Sequence, residues 1–128
     1  MRALIDTHAL LWHIEGSLKL SAKAREVIDS QANSIFFSIA SIWEIAIKLG
    51  LGKLALENPF NELEELLTEL EIEILQISFK DAEQYLALPL HHHHPFDRML
   101  IAQAMTNSLA VVSADPAFDA YEVRRVWA

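Results

Sequence analysis

Cysteine is absent from the 128 residues. That excludes every disulfide framework, thiolate zinc site and cysteine nucleophile, and it fits a reducing compartment. Long apolar runs are missing too. The longest, Ile35 to Trp43, is interrupted by serines and closed by Glu44, far short of the roughly 20 residues a membrane span needs. Near the N-terminus, Asp6 and His8 break the short run Ala3-Leu4-Ile5 before it could serve as the core of an export signal. A single cytoplasmic domain over residues 1–128, with no membrane contact, is the expectation; the length suffices for a core without a structural metal. Bases are missing locally. Glu57, Glu62, Glu64, Glu65, Glu69, Glu71 and Glu73 occupy a stretch without lysine or arginine, which accounts for most of the net charge of −8 and leaves 11 acids against 10 bases elsewhere. The global charge therefore does not exclude a nucleic-acid partner, because a divalent cation at an acidic site reverses the field a phosphate meets.

The apolar segments alternate between strand-like and helix-like periods. Ala3 to Ile5 reads as a buried strand followed by a helix through Ile14. Ser21 opens a second helix through Ile28, and Ile35-Phe36-Phe37 suits a central strand. Ser38 to Leu49 predicts a helix apolar almost all round, ended by Gly50 and Gly52. Its one polar stripe is Ser41, Glu44 and Lys48. Pro59 predicts the start of an exposed amphipathic helix with Phe60, Leu63, Leu66, Leu67 and Leu70 inward. A third strand is expected over Ile72 to Ile77 and a helix from Ser78 to about Leu88. A loop is expected at His91 to His94, a helix from Pro95 to Asn107 and a strand over Leu109 to Ser113. A short terminal edge strand is expected within Val123 to Trp127. Strands separated by helices predict an α/β fold, a mostly parallel sheet of four or five short strands between helical layers.

Four carboxylates stand out by position. Asp6 and Asp115 directly follow expected strands, where ligands of open α/β sheets gather. Asp97 lies in the first turn of a helix. Individually these three have ordinary explanations as a cap, a turn residue and a dipole-stabilised acid. Glu44 does not: its pairing with Lys48 returns only about 0.2–0.5 kcal/mol, little against the cost of an unpaired buried carboxylate. Three or four acids suit a hard divalent ion, Mg2+ or Mn2+, which keeps waters and takes oxygen ligands. Such an ion can activate water for attack at phosphorus. Lys48 and Arg98 are candidates for holding phosphate, with a surface salt bridge the alternative for each. The run His91-His92-His93-His94 reads as a solvated loop with incidental metal affinity and no catalytic role, since four adjacent imidazoles cannot converge on one ion.

Taken together, Leu4-Ile5-Asp6-Thr7-His8, Ser41-Ile42-Trp43-Glu44-Ile45, Pro95-Phe96-Asp97-Arg98-Met99-Leu100-Ile101-Ala102 and Ser113-Ala114-Asp115-Pro116 resemble the PIN-domain ribonucleases, most nearly the VapC-like toxins of bacterial toxin-antitoxin pairs. The resemblance implies a three-layer α/β/α sandwich and a metal-dependent endoribonuclease acting on RNA. It also implies a small antitoxin partner and a homodimer. Asp6, Glu44, Asp97 and Asp115 match the family's four metal-binding, catalytic acids, with Thr7 and Ser113 near enough in sequence to support them through hydrogen bonds. One departure concerns the cap of the helix at Pro95. Relatives often carry Asp-Pro-Phe-Asp where this chain has His94-Pro95-Phe96-Asp97, so an N-cap is altered rather than a ligand removed. The competing reading is a degenerate PIN-like module that binds RNA or protein without cutting.

Overall fold

Alternation along Ala3-Leu4-Ile5 sets the layering of the molecule. In the computed structural model, which describes residues 1–128, Ala3 and Ile5 enter one apolar core and Leu4 the other. Strand β1 (Arg2–Ile5) is thus buried on both faces, as central parallel strands are. It pairs in parallel with β2 (Ser34–Ser38) on one side and β4 (Ala110–Val112) on the other. β3 (Ile72–Leu75) and β5 (Arg125–Val126) form the edges, giving the order β3-β2-β1-β4-β5 with every pairing parallel.

Helices connect the strands: α1 (Thr7–Glu15) and α2 (Ala22–Asp29) between β1 and β2, α3 (Ile39–Gly50) and α4 (Leu63–Glu69) between β2 and β3, and α5 (Phe79–Ala87) and α6 (Pro95–Asn107) between β3 and β4. Leu10, Leu11, Val27, Ile28, Leu63 and Leu67 cover the face carrying Ile5, Phe37 and Val112. Leu100, Ile101, Ala104 and Phe118 cover the face carrying Leu4 and Val111. This is the three-layer α/β/α architecture. Helix α3 packs against both α1 and α6 at the carboxyl end of the sheet.

Local chemistry explains most boundaries. Asp6, Ser21, Ser38 and Ser78 each cap the helix that follows by accepting a backbone N–H. Gly16 ends α1 in the left-handed conformation that its missing Cβ permits. Two boundaries differ from the sequence expectation. Between Pro59 and Leu70 a 3-10 turn (Phe60–Glu62) precedes α4, because Pro59 is extended and its carbonyl is taken by Glu62 three residues on. Phe60 is consequently left exposed, and only Leu63 and Leu67 of that segment are fully buried. β3 stops at Leu75 rather than Ile77, since its partner Ser38 is where β2 turns into α3 and no backbone remains to pair with.

One buried polar side chain links these layers at the rim. Gln103, fully buried on α6, accepts from the Ser38 hydroxyl at 2.5 Å and donates to the Gln76 carbonyl at 3.2 Å. It fixes α6 to the ends of β2 and β3. Replacing it with leucine leaves the buried Ser38 hydroxyl without its acceptor and the Gln76 carbonyl without this donor, so Gln103→Leu is expected to cost about 1–3 kcal/mol. The measurement is urea denaturation, with a lower midpoint and an unchanged slope.

Candidate metal and phosphate site

The strand order reverses between β1 and β4: the chain runs outward from β1 through β2 to β3, then returns to place β4 on the other side of β1. Crevices at such switch points, beyond the carboxyl ends of the strands, are where open α/β sheets bind ligands. Asp6 sits in this one. Its backbone N–H donates to the Val112 carbonyl at 3.0 Å, continuing the β1–β4 ladder by one residue. Its Oδ1 accepts from the Ala9 N–H at 2.8 Å as the cap of α1. The cap role and the site role therefore coexist in one side chain. Ser113, the first residue past β4, is fully buried; its hydroxyl bonds to the Asp6 carboxylate and accepts the Asp115 N–H at 3.0 Å.

Glu44 reaches the same rim from α3 and is almost completely buried. Thr7 donates to its Oε1 at 2.7 Å and Lys48 to its Oε2 at 2.8 Å. Thr7 therefore supports Glu44, while Ser113 supports Asp6. The Lys48 ammonium is engaged by Glu44 as an i,i+4 pair and is about one-third exposed. Asp97 enters from the first turn of α6 and is half-buried. Asp115 is the outermost of the four: exposed, with Oδ1 capping the short 3-10 segment Pro116–Ala120 through the Ala117 N–H at 2.9 Å.

The charges interact across this cluster. Burial raises the Asp6 carboxyl from an ordinary 3.8 to about 6, with Asp97 adding to the rise and the Ser113 and Ala9 hydrogen bonds and His8 opposing it. Burial likewise raises Asp97; the nearby His94 and His92 oppose the shift, and the charges of Glu44 and Asp115 reinforce it. Glu44 moves the other way. Burial alone would raise it, but the hydrogen bonds from Lys48 and Thr7 and the charges of Lys48 and His94 outweigh burial and hold it low.

An all-oxygen set of this kind has the chemistry of a hard-cation site. No three of the acidic and imidazole groups already stand at ligand spacing about one point. That is compatible with Mg2+ or Mn2+, which bind through one or two carboxylates and retain waters. Asp6 is buried and takes part in no ion pair, and oxygen donors of this kind fit a divalent ion. Asp6 and Asp97 are the groups with charge left to be neutralised; Glu44 is already partnered.

Two findings were not visible in the sequence. His94 caps α6 with Nδ1, accepting the Asp97 N–H at 3.2 Å, while Nδ1 stands 3.3 Å from Asp97 Oδ2 and Nε2 stands 3.7 Å from Glu44 Oε2. His92 Nε2 lies 3.9 Å from Asp97 Oδ2, and its Nδ1 meets the Tyr121 hydroxyl at 3.0 Å. The histidine loop is therefore not merely solvated: two of its four rings border the carboxylates. The three-residue spacing from His94 to Asp97, with Pro95 at the first helical position, was the available signal. Arg98 requires the opposite correction. Instead of facing phosphate or forming a surface salt bridge, its buried guanidinium donates to the Pro89 carbonyl at 3.0 Å and to the Tyr85 carbonyl and Tyr121 hydroxyl, and lies over the Tyr85 ring. Turned inward, it ties the end of α5 and the following loop to α6.

The raised Asp6 carboxyl has a direct consequence for stability. With its folded-state value above the unfolded one, ionised Asp6 costs the fold about 3 kcal/mol. That cost is absent below about pH 4, grows as pH rises toward 6, and is complete above. Asp6→Asn keeps a capping oxygen and removes the charge. In chelator it is expected to raise stability by about 1–3 kcal/mol at pH 7.5 and to change it little at pH 4. Thermal melts at the two pH values measure this, and a gain independent of pH contradicts it.

Comparison with known proteins agrees with the fold. The PIN domain family model matches residues 3–123. No curated protein matches the chain. Among solved structures, VapBC2 from Rickettsia felis bound to a DNA fragment from their promoter superposes with a TM-score of 0.71 at 16% identity, covering 98% of this chain and 99% of that one. FitAcB from Neisseria gonorrhoeae gives 0.67 at 21% identity, covering 98% and 96%. A toxin-antitoxin complex from Klebsiella pneumoniae gives 0.62 at 19%, covering 89% and 87%. At these identities the superpositions establish the fold alone, but the family model spans nearly the whole sequence: the chain belongs to the PIN domain family.

Proposed function

We propose that the protein is a divalent-metal-dependent endoribonuclease and the toxin of a toxin-antitoxin pair. The observation that carries the nuclease reading is the convergence of Asp6, Glu44 and Asp97, from three separate elements, on the switch point between β1 and β4. PIN domains are nucleases, and this cluster has the charge and donor type that phosphodiester hydrolysis uses. The toxin reading rests on the company of the fold: structural neighbours are described as toxin-antitoxin or two-protein complexes. No helix is long and apolar enough to cross a membrane, and we place the protein in the cytoplasm with RNA as substrate.

In this reading Asp6 and Asp97 would hold the ion, with Asp115 further out. Mg2+ or Mn2+ held there would polarise a water for attack at phosphorus and stabilise charge on the leaving oxygen. The rest is done by the chain. Glu44, locked by Thr7 and Lys48, presents a fixed carboxylate that orients the attacking water. Ser113 holds Asp6 against β4. Lys48, one-third exposed beside Glu44, offsets the acids' field for an approaching phosphate, and the rings of His92 and His94 border the carboxylates.

A binding module without catalysis is the second reading, favoured by the absence of three groups at ligand spacing. Purified protein incubated with RNA and Mg2+ or Mn2+ separates the two. Cleavage is expected, abolished by chelator and by Asp97→Asn; Thr7→Val, which frees Glu44 from its hydroxyl partner, is expected to lower the rate roughly 10- to 100-fold. RNA binding without metal-dependent cleavage selects the module.

A further inference from the structure

The α3–α6 seam carries two side-by-side contacts. Glu44 and Asp97 lie near enough for their charges to interact, and His94 borders both. One residue earlier on each helix, Trp43 and Phe96 meet edge to face with ring centroids 5.7 Å apart. Trp43 is 62% exposed. The other two tryptophans, Trp12 and Trp127, are partly buried against the core and meet each other at a tilt, so Trp43 is the indole presented to solvent. His94 stands between pocket and shelf, bordering both carboxylates on one side with its ring centroid 6.0 Å from that of Phe96 on the other. Beside the pair lies an open apolar hollow of about 260 Å³, bordered by Ile77, Tyr85 and Met99 as well as Trp43 and Phe96, with no charged side chain in its wall.

We propose that this shelf is a base-stacking subsite: Trp43, backed by Phe96, takes an unpaired nucleobase of the strand whose phosphate lies at the carboxylates. This rests on the nuclease reading of the pocket. A nucleotide with its phosphate at Glu44 and Asp97 must place its base within one sugar's reach. The aromatic pair stands one residue away on both helices, continuous with the pocket. An uncharged apolar wall suits the π-face of a base, and stacking on an exposed ring tolerates any sequence. It also requires a base free of its helix, so the substrate class is single-stranded RNA or an unpaired loop rather than a continuous duplex.

The test uses the full-length protein in Ca2+, with three probes: a single-stranded oligoadenylate, the same backbone with an abasic position at its centre, and a duplex of equal length. Oligoadenylate is expected to quench tryptophan fluorescence saturably, with the quench lost in Trp43→Phe, which keeps a stacking ring and most of the affinity. Trp43→Ala should weaken oligoadenylate binding about tenfold and bind the abasic probe as wild type does. Mn2+ affinity measured by calorimetry should be unchanged in both variants. Wild-type affinity of Trp43→Ala for oligoadenylate overturns the proposal, as does preference for the duplex. So does an unchanged RNA affinity accompanied by a lower sedimenting mass, which assigns the shelf to a second copy of the chain. Oligoadenylate binding that depends on Trp43 without cleavage in Mg2+ or Mn2+ leaves the subsite standing and removes the nuclease reading. Cleavage unaffected by Trp43→Ala does the reverse.

Discussion

Repulsion among carboxylates brought together at the seam between β1 and β4 organises everything around them. Asp6 is fixed there by the backbone itself, since its N–H extends the ladder to Val112 and its side chain caps α1. It cannot move away without disrupting both. Asp97 and Glu44 arrive because α6 and α3 pack their apolar faces at the same rim. The fold answers with partial compensation at each acid: Lys48 and Thr7 on Glu44, Ser113 on Asp6, His92 and His94 around Asp97. Compensation is complete at Glu44, whose carboxyl is held low, and incomplete at Asp6 and Asp97, whose carboxyls are raised. The unmet part of the charge is what a divalent ion would neutralise.

The layering follows from local rules visible in the chain. A strand of three apolar residues ending in a capping acid, and a helix with a single polar stripe, needed no tertiary context to be read. Glu44 was informative for that reason: its burial was implied by its apolar neighbours Ile42 and Ile45, although Trp43 beside it faces solvent. The two boundary shifts, at Pro59 and after Leu75, came from a proline carbonyl captured three residues on and from a partner strand that ran out. The second of these cannot be read from the strand's own residues.

The segment from Leu88 to His94 is the loop the sequence predicts, but its path is set from a distance. Arg98 and Tyr121 hold the Pro89 carbonyl and the His92 ring, and that grip turns two histidines toward the carboxylates. Sequence spacing treats Arg98 as the neighbour of Asp97 and therefore as a resident of the pocket. On a helix, adjacent residues point about 100° apart, and here the arginine lies on the buried side while the acid lies on the rim. The same geometry separates Glu44 from Trp43 and Asp97 from Phe96, placing an aromatic pair beside an acidic one. His94, standing where relatives carry an acid, keeps the cap and contributes nitrogen in place of carboxylate oxygen.

The central claim is that Asp6 and its neighbours form one cation site whose charge the isolated fold leaves unmet. Its most direct test is proton release on metal binding: titration calorimetry of Mn2+ into the protein at pH 6 and at pH 8, each in two buffers of different ionisation enthalpy. A carboxyl raised to about 6 is partly protonated at the lower pH, so binding there should expel protons into the buffer. At pH 8 the group is already ionised, and the release should fall away while the affinity rises. Binding with equal proton release at both pH values, or no binding at either, contradicts the account.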